Sequence, residues 1–230
     1  MTETKSNRAF ILLSGGQDSF VCVLWAKNEF LTLEAISIAY DQTHLVEVNY
    51  AKKIAGYFNI EHTLYDIKDF LKSIAVSSIL NNTNHANKHS NAEHLPASFI
   101  PNRNGIFLTI AANHAFRKNE KDIHLVTGAC ETDFSGYPDC RDSYMKAKAT
   151  ELSLGLDCAV TIHTPLMLLN KAQTFEIARK AGKLKELNEI TISCYNGIEK
   201  INEWGRGCGE CPSCKLRQKG YKEFSKGIYL

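Results

Sequence analysis

Ala9-Phe10-Ile11-Leu12-Leu13-Ser14-Gly15-Gly16-Gln17-Asp18-Ser19-Phe20-Val21-Cys22-Val23-Leu24-Trp25 carries, in one run, an apolar strand, a glycine turn and the start of a helix. Paired glycines admit positive φ and clear side chains from the turn, so several N–H groups can converge on one anion. The positive end of the following helix dipole points to the same place, and the Ser14 and Ser19 hydroxyls add donors. The stretch reads as a phosphate cradle. It has neither the G-x-x-x-x-G-K-[ST] spacing of a P-loop nor the G-x-G-x-x-G of a dinucleotide fold. Leu13, Ser14, Gly15, Gly16, Gln17, Asp18, Ser19, Phe20, Val21, Cys22 and Val23 are the candidate nucleotide-binding residues.

Outward from the loop, strands and helices alternate. Phe20, Val21, Leu24 and Trp25 form the expected apolar helix face, residues 33–40 a second strand, 46–58 a second helix and 62–66 a third strand. Residues 81–95 are polar and aperiodic and read as a long loop containing His85, His89 and His94, a solvated segment rather than a metal site and a candidate lid. A helix over 105–118, a strand over 122–127, a helix from Asp142, a strand over 159–163 and a helix over 171–181 continue the pattern. The expectation is a Rossmann-like, doubly wound parallel sheet in three α/β/α layers, with ligand at the carboxyl ends of the strands.

The loop after the fourth strand, Glu131-Thr132-Asp133-Phe134-Ser135-Gly136-Tyr137-Pro138-Asp139-Cys140-Arg141-Asp142, concentrates acids, an Arg and aromatics where such a sheet binds ligands. Asp133 and Arg141 join Asp18 and Arg103, the latter in Pro101-Asn102-Arg103-Asn104, as candidate catalytic residues. Cys130 and Cys140 have no activating base nearby in sequence and read as structural. Lys171 reads equally as a phosphate contact or a helix-surface lysine.

Cys194, Cys208, Cys211 and Cys214 are spaced C-x13-C-x2-C-x2-C, which implies a metal: Zn²⁺ in a closed thiolate site, or an iron–sulfur cluster. Residues 1–193 are expected to form the α/β domain and 194–230 a small metal-binding subdomain.

At 230 residues and 44% hydrophobic content, the chain suffices for a substantial core. Its net charge of +2, from 27 basic and 25 acidic residues, provides no broad attraction to nucleic acid or an anionic membrane. No run approaches the roughly 20 apolar residues of a membrane span, and residues 1–8 contain no apolar signal core, so a cytoplasmic location with reduced thiols is expected.

The Ser14-to-Ser19 loop resembles that of the N-type ATP pyrophosphatase group, within the adenine-nucleotide α-hydrolase-like superfamily. Together with Pro101-Asn102-Arg103-Asn104, the 131–141 string and the terminal cysteines, it resembles the 7-cyano-7-deazaguanine synthase family of the queuosine precursor pathway from about residue 9 onward. One departure is Tyr40-Asp41-Gln42-Thr43-His44, where the family usually has Arg at the position of Thr43. The resemblance implies a homodimeric ligase that uses ATP, with Mg²⁺ placed by Asp18 and a structural Zn²⁺ on the four cysteines. Its implied substrates are 7-carboxy-7-deazaguanine and ammonia. The rivals are a tRNA-modifying thiolase or lysidine-type ligase with the same loop, for which charge and length argue poorly, and a nucleotide-binding module without turnover.

Overall fold

The computed structural model describes residues 6–40, 45–75, 77, 88–131 and 137–228. Five parallel strands form its central sheet: β1 (Ser6–Leu12), β2 (Phe30–Ala39), β3 (Glu61–Asp66), β6 (Asp122–Val126) and β7 (Ala159–His163), in the order β3-β2-β1-β6-β7. Strand β1 is central, pairing Ile11 with Ala35 on one side and with Val126 on the other. The chain winds outward to β3 and then returns to the opposite side of β1, so the loops leaving β1 and β6 diverge and leave a crevice between them.

Both faces of β1 are covered, which explains its nearly continuous apolar run. Ala9, Ile11 and Leu13 pack with α1 (Gln17–Glu29), α2 (Leu45–Phe58) and α6 (Lys171–Lys180). Phe10 packs the other way, with α4 (Arg103–Arg117) and α5 (Asp142–Leu156). The expected three layers are present. Helix α1 differs in detail from the single apolar face expected of it. Phe20, Val21, Cys22 and Val23 are all fully buried while Trp25 is only half-buried, because the sheet and neighbouring helices enclose the first turns from several sides.

The long loop expected over 81–95 requires correction in its second half. Residues 81–87 lie outside the described residues, but β4 (Lys88–His89) and β5 (Ala92–Pro96) form an antiparallel hairpin. Ser90 and Asn91 make the turn, as their side chains favour, with the Asn91 N–H donating to His89 Nδ1 at 3.2 Å. His89 is 4% exposed and meets Phe99 edge-on, so that histidine belongs to a packed element rather than a solvated one.

The remaining elements are α3 (Lys68–Ile74), α7 (Leu184–Ile190), the short hairpin β8 (Ile201–Asn202) and β9 (Gly205–Arg206), and α8 (Pro212–Ser225). Helix α8 lies against α6 through Phe175, Tyr221 and Phe224. Gly220 permits this approach: a Cβ there would stand 2.3 Å from Lys171 Cβ. Among the described residues, no helix is long and apolar enough to cross a membrane.

Candidate active site

A cavity of about 720 Å³ opens at the carboxyl ends of β1, β2 and β6. Ser14, Gln17, Asp18 and Ser19, which flank the two glycines of the turn, line it. Gly15 has φ +86°, and a Cβ there would lie 2.2 Å from the Glu47 carbonyl oxygen, so the backbone of α2 occupies the space any side chain would need. The Gly15 carbonyl accepts the Ile192 N–H at 2.9 Å. Gly16 N-caps α1 without a side-chain cap, and the Phe20 N–H bonds its carbonyl. The N–H groups of the first turn therefore face the cavity end as donors for an anion. Ser19 Oγ donates to the Gly16 carbonyl at 3.0 Å, and Ser14 Oγ to Ser19 Oγ at 3.2 Å.

Asp18 meets a cation. Lys171 Nζ, at the first position of α6, lies 2.5 Å from Asp18 Oδ2. A capping box between Asn170 and Gln173 sets the start of that helix, and Gln17 Nε2 donates to Thr174 Oγ1 at 2.7 Å, docking the first turns of α1 and α6 together. Asp18 Oδ1 is buried with no hydrogen-bond partner among the described residues. A buried acceptor left open beside an anion cradle fits a hard cation or another donor brought in with the ligand.

The other end of the cavity is aromatic. Arg103, the first residue of α4, has its guanidinium carbon 5.7 Å from the ring of Tyr40, 6.0 Å from Phe107 and 5.9 Å from Tyr137. Burial works against its charge, but the Tyr40 hydroxyl, Asp139 and Tyr137 outweigh burial and hold its pKa above the ordinary value. The Asp139 carboxylate accepts the Asn104 N–H at 2.9 Å, which folds the 137–141 segment over the start of α4. Cys140 takes a hydrogen bond from Asn104 Nδ2, and burial pushes its thiol up to about 11. Cys130 donates to the Leu169 carbonyl at 3.0 Å. The Cys140 thiol is thus held protonated at neutral pH, and Cys130 is engaged by backbone.

The third wall comes from the C-terminal segment, through Ser193, Tyr195, Ser213, Lys215, Arg217 and Lys219. Arg217 is 1% exposed; burial lowers its pKa to about 10, and Asp18 and then Cys214 act in the opposite direction. Behind this wall the Sγ atoms of Cys194, Cys208, Cys211 and Cys214 all lie within 4.8 Å of one another, with Cys208 and Cys214 at 3.8 Å. Ligands at about 2.3 Å from a tetrahedral ion stand about 3.8 Å apart, so the spacing fits a four-thiolate metal site. Backbone N–H groups of Glu210 and Cys211 point at Cys208 Sγ, and that of Cys214 at Cys211 Sγ, as thiolates require.

A glycine turn on an uncapped helix, an acid with an open oxygen and a four-cysteine knot are therefore assembled around one crevice. The sequence model of the queuosine biosynthesis protein QueC family matches residues 8–225. The chain belongs to that family. Among its relatives, the 7-cyano-7-deazaguanine synthase of Clostridium novyi is 41% identical over 225 residues, covering 98% of both chains. That of Lysinibacillus sphaericus is 43% identical over 220 residues, covering 96% of both. In fold, this QueC-family chain is similar to a 4-thiouridine synthetase solved with RNA and bound ATP, with a TM-score of 0.51 at 14% identity over 96% of this chain and 51% of that one. At such identity the likeness concerns the fold alone.

Within this family member, the candidate residues fall in different places. Leu13, Ser14, Gln17, Asp18 and Ser19 line the cavity, whereas Phe20, Val21, Cys22 and Val23 are core. Arg103 lines it as well. Arg141 is exposed at the start of α5 and is not among the lining residues. Asp133, with 132–136, and Gln42, Thr43 and His44, with 41–44, lie outside the described residues. The sequence alone assigns no site role to Tyr40, Phe107, Lys215, Arg217 or Lys219, whereas Tyr137 belongs to the loop expected at the pocket. Of those five, Tyr40 carries a usable hint, since it follows a strand on the carboxyl side of the sheet.

Proposed function

We propose that this chain is a 7-cyano-7-deazaguanine synthase, an ATP-dependent ligase that converts 7-carboxy-7-deazaguanine and ammonia to the nitrile in queuosine biosynthesis. The observation that carries the reading is that one cavity has an anion cradle at one end and a desolvated arginine boxed by aromatics at the other. A planar, acidic heteroaromatic substrate matches the second end, and the phosphates of ATP match the first.

The substrate carboxylate oxygen attacks the α-phosphorus of ATP, and pyrophosphate leaves toward the first-turn N–H groups of α1, Ser14 and Ser19. Ammonia adds to the acyl carbon and loses a proton, and AMP departs to leave the amide. The amide oxygen attacks a second ATP in the same way; loss of AMP and the remaining amide protons forms the nitrile, because an adenylated oxygen leaves far more readily than hydroxide. Lys171 and the loop donors stabilise charge accumulating on the leaving phosphates, and Arg103 orients the acid in line with phosphorus. Asp18, through the open Oδ1, would hold Mg²⁺, which neutralises the departing pyrophosphate when bound. Zn²⁺ on the four cysteines would be structural, since protein fills all four positions. The family resemblance also supports a cytoplasmic homodimer, which sedimentation of the purified protein tests.

Product analysis with Mg²⁺-ATP, ammonium and 7-carboxy-7-deazaguanine, omitting one component at a time, tests the assignment. AMP and pyrophosphate are expected only with the acid present, two of each per nitrile formed. AMP formation that requires tRNA instead would overturn it.

A further inference from the structure

We propose that Arg217 is a positioning residue linking the four-cysteine knot to the glycine turn, so that the metal held by the knot sets the affinity of the cradle for polyphosphate. This rests on the reading of the cradle as the ATP site.

Arg217 is the bulkiest of the fully buried side chains, and no carboxylate lies within ion-pair distance of it among the described residues. It is held by backbone and a hydroxyl instead: Nε donates to the Trp204 carbonyl at 2.8 Å, Nη2 to the Leu187 carbonyl at 3.1 Å and Nη1 to Ser193 Oγ at 3.5 Å. These three partners belong to three segments: the knuckle inside the cysteine knot, helix α7, and the stretch running beside the glycine turn. Room for the guanidinium exists only because residue 205 is glycine, where a Cβ would lie 2.3 Å from Nη2.

The stretch beside the turn is the mechanical connection. Ile192 gives its N–H to Gly15, Ser193 Oγ stands 3.6 Å from the Cβ position of Gly16, and Cys194 is the first thiolate of the knot. Ile192 also packs in one cluster with Cys194, Trp204, Cys211 and Cys214. The peptide that sets the Gly15 carbonyl, and with it the aim of the following N–H groups, is thus continuous with the metal ligands and pinned by Arg217. A guanidinium can bridge three acceptors through its fork, which no other side chain at this position reproduces.

The test uses the full-length, metal-loaded protein, with dissociation constants for ATP and for inorganic pyrophosphate measured calorimetrically before and after chelation. R217Q is expected to weaken both ligands about tenfold, the equivalent of one or two hydrogen bonds. Chelation should weaken wild type similarly yet add little in R217Q, since both act through one connection. Amide exchange at Ile192 should rise in either case while that of Leu125 in β6 stays protected. L152A, in the core on the opposite face of the sheet, serves as the control for lost stability alone and should bind ATP as wild type does. Should R217Q not fold, S193A breaks the same connection and is expected to shift affinity in the same direction. Wild-type ATP affinity in R217Q, independent multiplication of the two effects, or an equal loss in L152A would each refute the coupling. Absence of ATP binding in wild type would instead overturn the reading of the cradle, and this proposal with it.

Discussion

Replacing Gly15 with alanine separates a glycine required by geometry from one that is merely adjacent. At φ +86° an L-residue is strained by about 1–2 kcal/mol. The added Cβ would sit 2.2 Å from Glu47 O and 2.9 Å from Ala51 N, both backbone atoms of α2, so the helix or the turn must shift at an overpacking cost of about 1–3 kcal/mol. A displaced turn also weakens the bond from Ile192, worth about 1 kcal/mol. The sum, about 4 kcal/mol, corresponds to a fall in Tm of roughly 8–16 °C for a chain of this size. Gly16 is different: its φ of −85° suits any residue, and the nearest atom to a new Cβ is the Ser14 hydroxyl at 3.4 Å, so Gly16→Ala should unfold within about 2 °C of wild type. Thermal unfolding of the two variants, with ATP titration, measures the contrast; ATP binding should fall more than about tenfold in Gly15→Ala. If Gly15→Ala melts with wild type and binds ATP normally, or if the two substitutions cost the same, the argument from φ and contact is wrong.

Lys171→Met removes the cation from Asp18 while leaving the helix start to its capping box; AMP formation should fall about 100- to 1,000-fold with far-ultraviolet circular dichroism unchanged. Arg103→Lys keeps the charge but loses the planar fork, so KM for the acid should rise about tenfold or more while KM for ATP moves little, as steady-state kinetics in each substrate will show. Cys208→Ser should lower bound metal, measured by elemental analysis, and depress Tm, because that Sγ collects the N–H groups of both Glu210 and Cys211. His163, half-buried and facing His124, has its pKa lowered to about 4, with desolvation the larger cause. The unfolded chain then binds more protons than the folded one between about pH 6.5 and 4, so this residue contributes stability above pH 6.5 that is lost as pH falls toward 4. Discounted for its partial exposure, the loss is about 1–2 kcal/mol, and urea midpoints of His163→Gln should show a shallower decline over that window.

How much of this was legible depends on how far apart the partners lie in sequence. The strand, turn and helix at residues 9–25 are local, and their pattern of apolar run, paired glycines and helix start carries through to the observed β1, Gly15 and α1. The parallel three-layer sheet is legible from alternation and the handedness of βαβ units, whereas the strand order, and with it the place of the crevice, is set by which edge of β1 each later strand joins. The cysteine knot is legible because metal ligands repeat at short spacing. The hairpin at 88–96 is not, since the strands Lys-His and Ala-Glu-His-Leu-Pro are too short and mixed to show alternation, and their pairing is decided by a Ser-Asn turn and by Phe99 packing on His89.

The site itself shows where such reading stops. Lys171 and Asp18 are 153 positions apart, and their helix starts are brought together by the packing of α1 on α6 and the docking of Gln17 on Thr174. A lysine opening an amphipathic helix carries no mark of which neighbour it will face, so its sequence supports a surface and a site role equally, and the packing of α6 beside α1 decides between them. Arg217 is the sharper case. It follows the cysteine motif in a run of Lys, Leu, Arg, Gln and Lys that reads as a solvated helix face, yet it is buried against three backbone segments in a space vacated by Gly205. Burial of a guanidinium without a carboxylate is costly on its own. Here the Trp204 and Leu187 carbonyls and the Ser193 hydroxyl offset that cost, an arrangement set by tertiary structure and carried by no short stretch of sequence.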